Sequence, residues 1–131
     1  MQPRGHDMRT PLARVRGLGP AHSGTQHFWH QRLTSIALVP LTIAFILILL
    51  ALLGRNHAAV VQILGSPIIA IVMLLFVLCV AYHMKLGMQV IIEDYVHDEA
   101  QKFALLIGNS FFCTVIALAS VFAILKLSFG V

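Results

Sequence analysis

Three long apolar stretches dominate the pattern of hydrophobic and polar positions. They cover residues 33–53, 58–82 and 103–125, and none of them contains a charged residue. A helix that crosses a bilayer needs about 20 predominantly apolar residues. The pattern therefore predicts an all-α integral membrane protein with three transmembrane helices. We expect these helices to span about residues 27–54, 66–94 and 101–127.

The start of the second helix can be predicted from two adjacent residues. Ser66 suits an N-cap, and Pro67 suits the first helical position, where the missing proline N–H costs nothing. From Ser66 to Glu93 the helix would be roughly 42 Å long, which exceeds the hydrocarbon thickness of about 30 Å. The end that carries Tyr95 should therefore reach the headgroup region. His83 lies about 18 Å from that end, well inside the bilayer.

Composition supports a membrane location and excludes a soluble enzyme. Hydrophobic residues make up 59% of the 131-residue chain, and charged residues make up only 11%. The three spans use most of the chain, so there is no room for a soluble catalytic domain. We divide the chain into a basic N-terminal tail of residues 1–26 and an anchor domain of residues 27–131, and we expect lipid rather than nucleic acid around it.

The distribution of lysine and arginine predicts the orientation in the membrane. On the side of the tail and of the second loop we count Arg4, Arg9, Arg14, Arg16, Arg32 and Lys102. On the opposite side we count Arg55 and Lys126. The N-terminus is therefore predicted to be cytoplasmic and the C-terminus periplasmic. A short tail that is retained favours a bacterial inner membrane over a mitochondrial one.

His83 is the polar residue in the spans with the strongest functional implication. An ionisable side chain at this depth is costly unless it has a partner. Three roles are open: a hydrogen bond between helices, an axial ligand of heme iron, or a proton carrier. Gly87 follows one turn later, and Asp94 lies about 1100° further round the helix, so both should share a face with His83.

The polar start of the first span raises the question of a second iron ligand. His27 and His30 are expected about 15 Å shallower than His83, so a second ligand would come from another protein. Arg32 is either a positive-inside anchor or a clamp for carboxylates such as heme propionates. In the other spans, Asn109 and Ser110 suggest hydrogen bonds between helices.

At this point the sequence resembles a known family. The order His83, Gly87, Met88, Asp94 and Tyr95 on the second of three helices looks like the smaller hydrophobic membrane-anchor subunit of succinate dehydrogenase, respiratory complex II. The similarity begins at Gln26, includes Arg32 after a lead-in with histidine and aromatic residues, and continues to the end of the third span.

The resemblance implies roles for individual residues. His83 would be an axial ligand of a heme b, whose other ligand comes from the larger anchor subunit. Tyr95 would donate a hydrogen bond to a carbonyl oxygen of ubiquinone, with Asp94 in the same pocket. Arg32 would lie near the heme propionates, and His30 and Gly87 are assigned to cofactor binding on the same resemblance.

The resemblance also implies partner subunits, and two alternative functions remain open. A flavoprotein with FAD, an iron–sulfur protein and a larger cytochrome b anchor would assemble with this chain, and ubiquinone would be the substrate. The chain would help pass electrons from succinate to quinone without performing the dehydrogenation. The alternatives are a proton or ion transporter component that uses His83 and Asp94, and a structural assembly subunit without cofactor contact.

Overall fold

The computed structural model describes residues 10–16 and 22–130, and these residues form helices and short connections without a β-strand. The helices are α1 (Pro11–Arg16), α2 (His22–Leu52), α3 (His57–Leu64), α4 (Pro67–Tyr95) and α5 (Glu99–Phe129). Three of them are long and apolar enough to cross a membrane, over Thr25–Leu52, Pro67–Tyr95 and Glu99–Phe129. The predicted all-α fold with three transmembrane helices is confirmed.

Helix ends follow local capping chemistry. Ser66 is the N-cap of α4 and Pro67 opens the helix, as predicted, although the Ser66 side chain makes no capping hydrogen bond. The Asp98 carboxylate caps α5 by accepting a hydrogen bond from the Gln101 N–H at 2.9 Å. At the other end of α5, Gly130 adopts a left-handed conformation with φ 70°, which favours glycine.

At the N-terminus the structure differs from the expected boundary. The first long helix, α2, begins at His22 rather than at residue 27, so its first turns include residues assigned to the tail. Residues 1–9 and 17–21 of the predicted tail, with Arg4 and Arg9, lie outside the described residues.

One short helix was not predicted. The segment before α4 reads as part of a continuous apolar stretch, but it folds as α3, which Asn56 caps by accepting a hydrogen bond from the Ala59 N–H at 2.9 Å. Gly65 ends α3 where α5 passes closely. A Cβ atom at Gly65 would lie 3.0 Å from the carbonyl oxygens of both Leu127 and Val61, so a larger residue would push these segments apart.

Helix α4 lies between α2 and α5 and packs against both. It runs antiparallel to α2, because His83 contacts Thr34 near one end while Phe76 stacks on Phe45 further along, with ring centroids 4.5 Å apart. It also runs antiparallel to α5. The start of α2, the end of α4 and the start of α5 therefore lie at one end of the bundle.

The bundle buries few side chains. The buried hydrophobic residues among those described all lie on α4 or α5, and they are Ala70, Ala81, Leu86, Ile92 and Cys113. The most apolar window of α2 has no buried residue. Cys79 and Cys113 are free thiols. The wide apolar surface needs lipid or other proteins to cover it.

A hydrogen bond inside the membrane holds α5 to α4. Asn109 donates from its amide to the Lys85 carbonyl oxygen at 3.0 Å, as predicted. Within the described residues the Ser110 side chain has no hydrogen-bond partner on another helix, so an interhelical bond by Ser110 stays a prediction. The Ser110 carbonyl instead accepts a bond from Thr114 within α5.

Replacing Asn109 with leucine should therefore weaken the α4–α5 contact. We expect the free energy of unfolding in detergent micelles to fall by about 0.6 to 1.7 kcal/mol, the usual range for such bonds in membranes. Ser110→Ala is the matched control and should leave the unfolding midpoint unchanged. Equal shifts in the two variants would contradict the assignment of the bond.

Candidate functional site

A group of four residues, which we call the His83 cluster, lies between α2 and α4. It comprises His83 and Gly87 on α4 and Gln31 and Thr34 on α2. Nδ1 of His83 lies 2.8 Å from the Thr34 hydroxyl oxygen, and Nε2 of His83 lies 3.4 Å from the amide nitrogen of Gln31. The histidine is half-buried. The hydrogen bond between helices, one of the roles left open for His83, is therefore present.

Helical spacing brings the cluster together. Gln31 and Thr34 are three residues apart and Gly87 follows His83 by four, so each pair lies on one helix face. A Cβ atom at Gly87 would lie 3.6 Å from Nε2 of Gln31, an ordinary van der Waals distance, so the Gln31 side chain lies directly beside the glycine. Thr34 also bonds the carbonyl oxygens of His30 at 2.8 Å and Gln31 at 3.1 Å.

Among the described residues, two buried polar atoms in or beside the cluster have no hydrogen-bond partner. They are Oε1 of Gln31 and Nε2 of His27, which lies one turn before Gln31 on the same face of α2. An unpaired polar atom away from water costs about 1–3 kcal/mol. Within the described part of the chain this face of α2 therefore has polar atoms that lack hydrogen-bond partners. It suits a polar or charged group from outside the chain.

The predicted depth of His30 was wrong. Its Nδ1 lies 3.0 Å from the hydroxyl of Tyr82, the residue directly before His83, so the two histidines are nearly level. The reason is the early start of α2 at His22, which places His30 about 12 Å into the helix. His30 is exposed, and among the described residues it makes no hydrogen bond to His83. The argument that a second iron ligand must come from another protein because His30 is too shallow therefore no longer holds.

Arg32 lies on the exposed surface of α2 rather than in the His83 cluster. Its guanidinium carbon is 5.2 Å from the centroid of the Phe28 ring, one turn earlier, which is a cation–π contact. Phe28 also meets Trp29 edge to face, with centroids 6.2 Å apart. The exposed guanidinium of Arg32 is available to a carboxylate from outside the chain.

Asp94 and Tyr95 are the last two residues of α4, and both are exposed. Tyr95 has 78% of its surface exposed. The structure does not bring them to the His83 cluster, since twelve residues separate Tyr95 from His83, about 18 Å of helix. The predicted site residues thus lie in three places: in the His83 cluster (His83 and Gly87), on the exposed surface of α2 (His30 and Arg32) and at the end of α4 (Asp94 and Tyr95).

Sequence reasoning did not identify Gln31 and Thr34 as neighbours of His83. A signal was present: His27, Gln31 and Thr34 recur at intervals of four and three, so they form a polar stripe on one face of the helix. Such a stripe indicates a polar neighbour, although it does not show which residue of another helix it meets.

The space at Gly87 leads to a prediction about residue size. Gly87→Ala should fold normally, because its methyl group would make ordinary van der Waals contact with the flexible Gln31 side chain. Gly87→Leu should destabilise the α2–α4 contact by about 1–3 kcal/mol through overpacking. Unfolding in detergent micelles measures both. Equal stability of the alanine and leucine variants would contradict the close approach of the helices.

Comparisons with known proteins agree with the earlier resemblance. Residues 6–117 match the sequence model of the succinate dehydrogenase/fumarate reductase transmembrane subunit. The succinate dehydrogenase hydrophobic membrane anchor subunit of Paracoccus denitrificans is 32% identical over 92% of this chain and 93% of its own length. The subunit of the same name from Rickettsia bellii is 31% identical over 91% of this chain and 95% of its own length.

No solved structure gives a significant match to the chain. The family assignment therefore rests on sequence and agrees with the three-span fold. Because the family's sequence model covers most of the chain, and relatives more than 30% identical align over nearly its full length, the chain belongs to the family of succinate dehydrogenase/fumarate reductase transmembrane subunits.

Proposed function

We propose that this chain, a membrane-anchor subunit of succinate dehydrogenase, helps to bind a heme b and forms part of the site where ubiquinone is reduced. Through it, electrons taken from succinate by other subunits reach quinone in the membrane. The observation that carries the proposal is the half-buried imidazole of His83, held by Thr34 inside the span beside unpaired polar atoms.

The His83 cluster fits a heme on the chemistry of its donors. A histidine that ligates a metal nearly always bonds a polar group through its other ring nitrogen. Nδ1 of His83 has such a partner in Thr34, while Nε2 has only the long contact to Gln31. When bound, heme b would supply a one-electron carrier inside the membrane. His83 would be one axial ligand, and the larger anchor subunit would supply the other.

Residues near the cluster would complete the cofactor site. Gly87 leaves space for a flat group to approach the helix, and the exposed Arg32 presents a planar fork suited to propionate carboxylates. His30 lies level with His83 on the exposed side, paired with Tyr82. We assign all three to cofactor binding.

Asp94 and Tyr95 would form the quinone end of the subunit. Ubiquinone dissolves in lipid and takes up two electrons and two protons, so its site should lie where the membrane meets water. The exposed Tyr95 phenol would donate a hydrogen bond to a quinone carbonyl oxygen as negative charge develops there. Asp94 would hold the phenol or relay protons.

The same proposal assigns partners and location. A flavoprotein with FAD and an iron–sulfur protein would carry out succinate oxidation, as the family resemblance implies. A larger cytochrome b anchor would cover part of the exposed surface of α2. The chain would lie in a bacterial inner membrane, with its N-terminus and the α4–α5 loop facing the cytoplasm.

Purification through a tag on the full chain tests this function. From native membranes we expect a flavoprotein, an iron–sulfur protein and a second small hydrophobic chain to copurify, with a b-type absorbance spectrum. The control is a host strain from which the gene for the succinate dehydrogenase flavoprotein has been deleted. The sample purified from this strain should not oxidise succinate. Purification of the chain with transport proteins, without flavin, would overturn the proposal.

A further inference from the structure

We infer that Thr34 is a positioning residue that keeps the Nδ1 of His83 protonated and leaves the Nε2 lone pair for iron. The inference rests on the proposed heme function and deepens it. It comes from the hydrogen-bond geometry at the Thr34 hydroxyl, which touches three groups at once.

The hydroxyl has a single proton, which limits what it can do. It lies 2.8 Å from the His30 carbonyl oxygen and 3.1 Å from the Gln31 carbonyl oxygen, and a carbonyl can only accept. When the proton is directed to this pair of carbonyls, the hydroxyl oxygen is left as an acceptor. Nδ1 of His83, 2.8 Å away, must then be the donor.

The orientation of the Gln31 amide agrees with the same tautomer. Its amide nitrogen, which only donates, faces Nε2 of His83 at 3.4 Å. A proton on Nε2 would set two donors against each other, whereas a lone pair there accepts a weak hydrogen bond. The contact between the Gln31 amide nitrogen and Nε2 of His83 is long, and among the described residues Oε1 of the same amide has no partner. The Gln31 side chain therefore lies over the Nε2 lone pair but is held there only weakly.

This arrangement prepares the imidazole for iron. A hydrogen bond from the distal ring nitrogen fixes the tautomer and the ring orientation, and it makes the ligating nitrogen more basic. Loss of such a partner typically weakens metal affinity by about 10- to 100-fold. A less basic ligand also stabilises ferric iron less, so the heme midpoint potential should rise.

Variants of the whole complex test the inference. Thr34→Val keeps the shape but removes the hydroxyl, and Thr34→Ser restores a hydroxyl. The control is Ser35→Ala, because the Ser35 hydroxyl bonds only the Gln31 carbonyl, at 2.8 Å, and does not touch His83. The readouts are heme per flavin from difference spectra, the heme midpoint potential, and the electron paramagnetic resonance signal of the ferric heme.

For Thr34→Val we expect less heme per flavin, a more positive potential and a shifted ferric signal, with recovery in Thr34→Ser and no change in Ser35→Ala. Heme content and potential that stay unchanged in Thr34→Val would overturn the inference, as would equal changes in Ser35→Ala or no recovery in Thr34→Ser. If Thr34→Val fails to assemble, Thr34→Ala takes its place. Failure of both, with normal assembly of Thr34→Ser, would assign the hydroxyl to helix pairing and overturn the inference.

Loss of heme in His83→Ala separates the two proposals. If His83→Ala loses heme while Thr34→Val keeps it with an unchanged potential, the heme function stands and the positioning role of Thr34 fails. If His83→Ala retains heme and its ferric signal, the heme function itself fails.

Discussion

Replacing Tyr95 with phenylalanine should lower the rate of ubiquinone reduction by succinate about 100-fold. The substitution removes one hydroxyl from a side chain that is 78% exposed, so the folding of the chain should not suffer. A single donor aimed at developing negative charge is typically worth about 100- to 1000-fold in rate. Succinate oxidation with a water-soluble artificial acceptor should be retained, because that reaction needs no quinone site. The ratio of the two rates in the purified complex measures the effect.

The chain offers a matched control, since it contains two tyrosines. Tyr82 lies on the same helix, and its hydroxyl is bonded to Nδ1 of His30 at 3.0 Å, about 20 Å from Tyr95 along the axis. Tyr82→Phe should leave quinone reduction near the wild-type rate. Quinone reduction by Tyr95→Phe at the wild-type rate would show that Tyr95 has been assigned wrongly.

The second large effect is expected at His83, whose replacement by alanine should abolish the b-type spectrum of the purified complex. Among the described residues, His30 is paired with Tyr82 on the exposed side and makes no hydrogen bond to His83, so it cannot take over the position. His57→Ala is the control, because His57 is exposed on α3 near the opposite end of the bundle and should be neutral.

His83→Gln separates ligation from the structural hydrogen bond. A glutamine amide can still bond the Thr34 hydroxyl, whereas it is a poor iron ligand. We expect the helices of His83→Gln to assemble while heme is lost. Retention of heme in both His83 variants, or a wild-type complex without any b-type absorbance, would leave the transporter alternative and the purely structural alternative in place of the proposal.

The parts of the fold that could be predicted are set by local sequence. The length of the apolar stretches fixes three spans, and the pair Ser66 and Pro67 marks the start of α4. Asn109 could be expected to bond a neighbouring helix, because an unpaired amide in lipid is costly. Each of these inferences needs only the rise of a helix and the cost of a polar group in the membrane.

The neighbours of His83 could not be predicted, because they depend on how two helices slide against each other. A shift of one turn changes depth by about 5.4 Å, and the start of α2 at His22 rather than at residue 27 accounts for about 7.5 Å of the error at His30, roughly half of it. The observed register is supported by the stacked pair of Phe45 and Phe76 and by the space at Gly87. These contacts appear only when both helices are packed.

The most direct test is an experimental structure of the intact complex at a resolution that shows side chains. The account predicts Nε2 of His83 facing a heme iron, Nδ1 still on the Thr34 hydroxyl, and the Gln31 amide moved from its place beside the ring. His83 with Nε2 still against Gln31, and no porphyrin between this chain and its neighbour, would contradict it.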